Sequence, residues 1–202
     1  MKILNINSSA QLNGSRSRQL TSALANKLKK LSGGTVVDRD LTQGLQFITE
    51  AMIDRYYIPK NELTEQDNII LRPSDKLVDE LVDSDVIIIG APMYNFAIPG
   101  TLKSYLDQIC RLGSTFTTNP EGFEGLLKNK IAYIIITTGG TPITGDDDFM
   151  TAYLTRILDF IGITDVRFLV VDKFQPNEAE KQMQEVINTI DSLQLPLKST
   201  PN

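Results

Sequence analysis

The chain has 202 residues, 41% hydrophobic and 22% charged, which is enough apolar material for one full core, and residues 1–202 are read as one domain without a linker. The formal net charge of −5 disfavours nucleic-acid partners, and the total absence of histidine excludes Ser-His and Cys-His hydrolase chemistry along with most zinc sites. A single cysteine, Cys110, permits no internal disulfide, the first residues lack a signal-peptide layout, and the apolar runs are too short to span a bilayer, so a cytoplasmic, non-membrane protein is expected.

Residues 2–6 read as a first strand. Leu20, Leu24, Leu28 and Leu31 recur at helical spacing, predicting a helix over residues 15–31. Residues 35–38 form a short second strand after Gly33 and Gly34. Residues 42–71 hold Phe47, Ile48, Met52, Ile53, Tyr56, Tyr57 and Pro59, and read as a helix, a loop and a second helical piece from about Thr64, interrupted near Pro73. Such an insertion suits a cover over a site or an association surface.

The segment VIIIGAP, residues 86–92, is apolar and β-branched throughout its core, as expected of a parallel strand covered on both faces. Pro99 can open the next helix, where its missing N–H costs nothing, and Leu102, Leu106 and Ile109 continue one face of it. Residues 130–137 (KIAYIIIT) are a fourth strand. A helix marked by Tyr153, Leu154, Ile157, Leu158 and Ile161 ends at Gly162, residues 165–171 are a fifth strand, and Met183, Val186, Ile187 and Ile190 mark a last helix. The polar tail from Pro196 is expected to fray. Alternation of this kind predicts a doubly wound α/β fold with a five-stranded parallel sheet in the flavodoxin-like order 2-1-3-4-5 and helices on both faces.

Ligands in such sheets bind beyond the carboxyl ends of the strands, at the switch point. The loop after the first strand carries Ser8, Ser9, Ser15, Arg16 and Ser17 and opens a helix, so it can hold an anion; it also reads as a polar loop capped by Ser15. It has neither a GxGxxG nor a GxxxxGK[ST] pattern. The loop after the third strand, Pro92, Met93, Tyr94, Asn95, Phe96, is unusually aromatic for a loop, as a flat heteroaromatic ligand or a turn packed beneath another loop would require. The loop after the fourth strand, Thr137, Thr138, Gly139, Gly140, allows close backbone approach to a ligand, or is a simple turn. Cys110 reads as core. Asp146, Asp147 and Asp148 read as a solvated loop at a helix start rather than a metal site.

These segments carry a resemblance. With GAPMYNF at residues 90–96, the serines of the first loop, residues 115–126, and DFIGITD at residues 159–165, the chain resembles the FMN-dependent NADH-azoreductases, flavodoxin-like relatives of the NAD(P)H:quinone oxidoreductases. The resemblance implies noncovalent FMN, its phosphate held by Ser9, Ser15, Arg16 and Ser17. Met93, Tyr94, Asn95 and Phe96 would border the isoalloxazine ring, with Pro92 in the same shell. Thr137, Thr138, Gly139 and Gly140 would close over the pyrimidine side, through backbone N–H groups alone, because Thr138 stands where relatives often carry arginine. It implies NADH or NADPH as electron donor, quinones and azo compounds as acceptors in a ping-pong two-electron reaction, no side-chain nucleophile, and a homodimer with active sites at the interface. Residues 53–58 and 115–123 are the expected interface segments. A flavodoxin-type electron carrier is the alternative reading, opposed by the insertion at residues 42–73. A receiver domain is disfavoured because the third strand ends Gly90-Ala91-Pro92, without a phosphoacceptor aspartate.

Overall fold

The computed structural model describes residues 1–195 and 197; the tail beginning at Pro196 otherwise lies outside the described residues. Strand β1 (Lys2–Asn7) is followed by α1 (Arg16–Ser32) and β2 (Thr35–Asp40). The insertion forms α2 (Glu50–Tyr56), a 3-10 turn (Lys60–Glu62) and α3 (Glu65–Val82). Then come β3 (Val86–Pro92), α4 (Gly100–Ile109), β4 (Phe116–Asn119) and β5 (Gly122–Gly125). Strand β6 (Ile131–Thr137), α5 (Thr151–Phe160), β7 (Asp165–Val171) and α6 (Pro176–Ser192) complete the chain. The main sheet is parallel with order β2-β1-β3-β6-β7, which is 2-1-3-4-5 when its own strands are numbered in sequence.

The alternation of side chains along each strand divides the core into two layers. Ile3, Ile88 and Ile135 pack with Leu20, Leu24 and Leu28 of α1 and with Met183, Val186 and Ile190 of α6. On the opposite face Leu4, Ile6, Ile87, Ile89 and Ile134 meet Leu77 and Leu81 of α3, Leu102 and Leu106 of α4, and Leu154 and Leu158 of α5. Strand β3 is buried along its whole length, in keeping with its unbroken apolar run.

Two features depart from the sequence reading. Helix α3 runs through Pro73 without interruption. Its start is fixed by a reciprocal capping box between Thr64 and Asp67, and Leu71, Ser74, Leu77, Val78 and Leu81 bury one continuous face. Burial on both sides of the proline outweighs its lost hydrogen bond. Residues 116–125 form an antiparallel hairpin turning at Pro120–Glu121, where no strand was expected. Its end is locked to α5 by bare backbone contact: a Cβ on Gly125 would come within 2.1 Å of the Gly162 nitrogen. Phe116 lies against Phe160 with ring centroids 4.6 Å apart, and Phe123 stays exposed beside them. No helix among the described residues is long and apolar enough to cross a membrane.

Candidate functional site

Three loops meet at the carboxyl ends of β1, β3 and β6. The first is tied to its neighbour by Ser8, whose hydroxyl donates to the Gly90 carbonyl at 2.6 Å. Farther along, the Ala10 N–H donates to the Tyr94 hydroxyl at 3.1 Å, joining the first loop to the third. Gly14 then adopts a left-handed φ of 74°, turning the chain into α1. Ser15 is the N-cap, accepting from the Arg18 N–H at 3.4 Å. Its hydroxyl also lies 3.2 Å from that of Ser17.

The consequence is a concentration of spare donors. The N–H groups of Gly14, Ser15, Arg16 and Ser17 make no hydrogen bond among the described residues. The first turn of a helix has no internal acceptors for them, and its dipole favours negative charge there. Arg16 lines the same cleft and forms no ion pair among the described residues. The arrangement suits an anion with several oxygens, such as a phosphate monoester.

The third loop is a tight reversal. Tyr94 and Ala97 exchange backbone hydrogen bonds at 2.9 and 3.2 Å, with Asn95 at φ 51° and Phe96 at φ 68° between them. Two consecutive positive φ values are those of a type I′ turn, normally built from Asn and Gly. An aromatic residue held there costs about 1–3 kcal/mol, a strain typical of ligand sites. Tyr94 and Phe96 are 40% and 49% exposed, so the turn offers aromatic surface to solvent rather than to the core. The Met93 N–H donates to the Thr137 carbonyl at 2.8 Å, fixing this loop to the fourth.

In the fourth loop the Thr138 N–H donates to the Val171 carbonyl at 2.9 Å, and its hydroxyl donates to the Thr141 carbonyl at 2.8 Å. The Gly140 N–H donates back to the Thr138 hydroxyl at 3.1 Å. Thr138 is therefore consumed in shaping the turn, and of the residues that line the cleft from this loop Gly139 keeps an N–H without a partner among the described residues. The expectation of general backbone donation from this loop narrows, at the cleft, to Gly139.

Ser9, Ser15, Arg16, Pro92, Met93, Tyr94, Thr137, Thr138 and Gly139 line one cleft of about 370 Å³, with Gln11 and Gly14 beside them. Four of the sequence-selected residues are placed otherwise. Ser17 is buried in the first turn behind Ser15. Asn95 and Phe96 form the tip of the turn at the rim. Gly140, at φ 116°, carries the chain under Phe174, whose Cβ would lie 2.6 Å from an added Cβ.

Behind the cleft lies an ion pair that composition and spacing did not reveal. Arg18 donates from Nη1 and Nη2 to both carboxylate oxygens of Asp40, at 2.8 and 2.9 Å. Nη2 also donates to the Ser9 carbonyl at 2.8 Å. Asp40 accepts further bonds from the Thr42 N–H at 3.0 Å and the Thr42 hydroxyl at 2.8 Å. The Arg18 hydrogen bonds hold the Asp40 carboxyl down at about 2, below the usual carboxylate range.

A larger cavity of about 430 Å³ lies between α2, α3 and residues 111–118. Its buried cation, Arg111, is stacked over Tyr56 at 4.5 Å and paired with Asp75 at 3.0 Å. Asp75, Asp79 and Lys60 line that cavity as well, so its two cations are matched by two carboxylates. Cys110 ends α4, and burial pushes its thiol up to about 12, leaving it unreactive. Asp148 spends its carboxylate on the start of α5, accepting from the Met150 and Thr151 N–H groups, each at 3.0 Å.

The flavodoxin-like fold family matches residues 1–193. The FMN-dependent NADH:quinone oxidoreductase 1 of Hahella chejuensis is 45% identical over 173 residues, covering 85% of each chain. The FMN-dependent NADH:quinone oxidoreductase of Pelagibacter ubique is 43% identical over 194 residues, covering 93% of this chain and 100% of that one. The chain belongs to the flavodoxin-like FMN-dependent NADH:quinone oxidoreductase family. The azoreductase of Bacillus anthracis strain Sterne has the same fold, with a TM-score of 0.83 at 24% identity over 96% of this chain and 100% of that one. Within this family frame the cleft at the carboxyl ends of β1, β3 and β6 is the candidate active site, and the hairpin and α2–α3 insertion are elaborations around it.

Proposed function

We propose that this chain, acting as one flavin-binding unit, binds FMN and catalyses electron transfer from NADH to quinones and azo compounds. The observation that carries the reading is the run of four unspent N–H donors at the start of α1, facing an exposed aromatic turn across one cleft. The donor set fits a flavin mononucleotide at both ends. Its phosphate would take the N–H groups of residues 14–17, the Ser15 hydroxyl and Arg16, with Ser9 at the edge. Its ring would lie along Pro92, Met93 and the turn at Tyr94, Asn95 and Phe96, with the Gly139 N–H available to a ring oxygen and Thr137 beneath.

FMN, when bound, supplies the two-electron chemistry. The residues of the chain bind and orient. Ser17 steadies the Ser15 hydroxyl, and Thr138 and Gly140 shape the loop that presents Gly139. The interlocked bonds of Met93, Tyr94 and Ala97 hold the aromatic turn rigid, so that its position is set before any ligand arrives. The Tyr94 hydroxyl accepts from the Ala10 N–H, which leaves its O–H free to donate into the cleft. No histidine exists in the chain to act as a general acid.

Donor and acceptor are both flat and both need the surface beside Tyr94 and Phe96, so they use it in turn. Such alternation is a ping-pong reaction. The family resemblance further supports a homodimer in which Phe123 of the hairpin and the exposed residues Ile53 and Tyr57 lie at the interface. The functional test is NADH oxidation by the FMN-loaded protein with a benzoquinone and no other reductase. Sustained turnover is expected. A protein that binds flavin yet needs a separate reductase would be an electron carrier, and the enzyme reading would fall.

A further inference from the structure

The phosphate cradle has one weak point. Ser9 lines the cleft, and its carbonyl oxygen, if turned inward, would set a partial negative charge against an incoming phosphate. That oxygen is instead captured by the Arg18 guanidinium at 2.8 Å. Arg18 does not itself line the cleft. Its Nη1 and Nη2 are turned to Asp40 and the Ser9 carbonyl, and its Nε is buried without a partner.

The orientation of Arg18 is fixed from behind. Asp40, at the end of β2, grips the guanidinium by two hydrogen bonds of 2.8 and 2.9 Å. Thr42 in turn fixes the carboxylate through its N–H and its hydroxyl. The pair is internally neutral, so it adds little net attraction for an anion; Arg16 and the helix N-terminus supply that. What it contributes is geometry. β1 and β2 are paired in register from Lys2–Thr35 to Asn7–Asp40, which places the Asp40 anchor beside the start of the loop.

We propose that Arg18, held by Asp40, is a positioning residue for the phosphate of the cofactor: it pins the Ser9 carbonyl away from the cleft, so that the first loop presents only donors. The inference rests on the FMN reading above. It assigns a task to a cation that touches neither phosphate nor ring, and separates it from Arg16, which faces the ligand directly.

A pin of this kind acts on the phosphate end of the ligand alone. The test is therefore the affinity of the full chain for FMN and for riboflavin, by quenching of flavin fluorescence, in the wild type and in Arg18→Ala, Arg18→Lys and Asp40→Asn. FMN affinity is expected to fall about 10-fold or more in Arg18→Ala, the effect of one charge-assisted hydrogen bond. Riboflavin affinity should change by less than about 3-fold, under 1 kcal/mol. Arg18→Lys should recover only part of the loss, because one ammonium cannot hold two carboxylate oxygens and a carbonyl in a fixed fork. Asp40→Asn should lower FMN affinity in the same selective way, and it carries the test if Arg18→Ala does not fold, as judged by the thermal midpoint of the apoprotein. Equal losses for both flavins would overturn the proposal in favour of general disruption of the site, and unchanged FMN affinity would overturn it outright. A wild type that binds neither flavin would fail the FMN reading itself, and this inference with it.

Discussion

Ser15 and Ser17 present paired hydroxyls at the start of α1, 3.2 Å apart and both buried. Replacing both with Ala removes the capping acceptor and the hydroxyl donor together. The Ser15 hydroxyl, steadied by Ser17, would give one hydrogen bond to a charged phosphate, worth about 1.5–3 kcal/mol, so FMN affinity should drop by at least ~10-fold in the double variant. Fluorescence titration reads this directly, and an unchanged affinity would move the phosphate elsewhere. A second residue-scale expectation concerns acid stability. Asp40 is held at about 2, below an unfolded-state value near 3.8, so its ionisation stabilises the folded chain above that range. The contribution is lost as pH falls from about 4 towards 2. Asp40→Asn should therefore lower the thermal midpoint at neutral pH and show a shallower decline than the wild type across that window. Parallel declines in the two proteins would count against a stabilising pair.

At the scale of elements, α3 shows why some structure was legible and some was not. The parallel strands announce themselves as unbroken β-branched runs, VIIIGAP above all, because both of their faces are covered. Their alternation with amphipathic helices leaves few sheet orders, so the three ligand loops could be named in advance. Pro73 misled because local propensity was set against burial that only the tertiary structure supplies. A mid-helix proline costs about 3 kcal/mol relative to alanine, offset by about 1 kcal/mol of unfolded-state restriction. Pro73→Ala should raise the thermal midpoint by roughly 4–8 °C for a chain of this size; a fall in calorimetry would mean that the proline is itself required by the packing. The hairpin β4–β5 was hidden for a different reason: each strand has four residues, mostly exposed and without apolar alternation. Its place is set by Gly125 against Gly162, so Gly125→Ala should detach it, seen as increased amide exchange confined to residues 116–125. The Arg18–Asp40 pair was equally illegible, since it depends on the register of β1 with β2 and on β2 continuing two residues past its expected end.

For the whole molecule, the exposed aromatics and the cleft at the ends of β1, β3 and β6 make two demands. Phe123 and Tyr57, 67% and 71% exposed, lie in the two segments proposed to meet a second copy of the chain. Light scattering should give twice the 22.5 kDa chain mass at micromolar concentration; a monomer with full activity would refute the shared-pocket reading. On the proposed reading, donor and acceptor alternate beside the turn at Tyr94 and Phe96. Double-reciprocal plots at several fixed quinone concentrations should then be parallel, with inhibition at high quinone. The most direct test of the central claim is anaerobic addition of NADH to the FMN-loaded protein without any acceptor, followed by the visible flavin absorbance. Complete bleaching is expected at one NADH per flavin, with full recovery on adding quinone. Absorbance that stays unchanged until acceptor is present would contradict it.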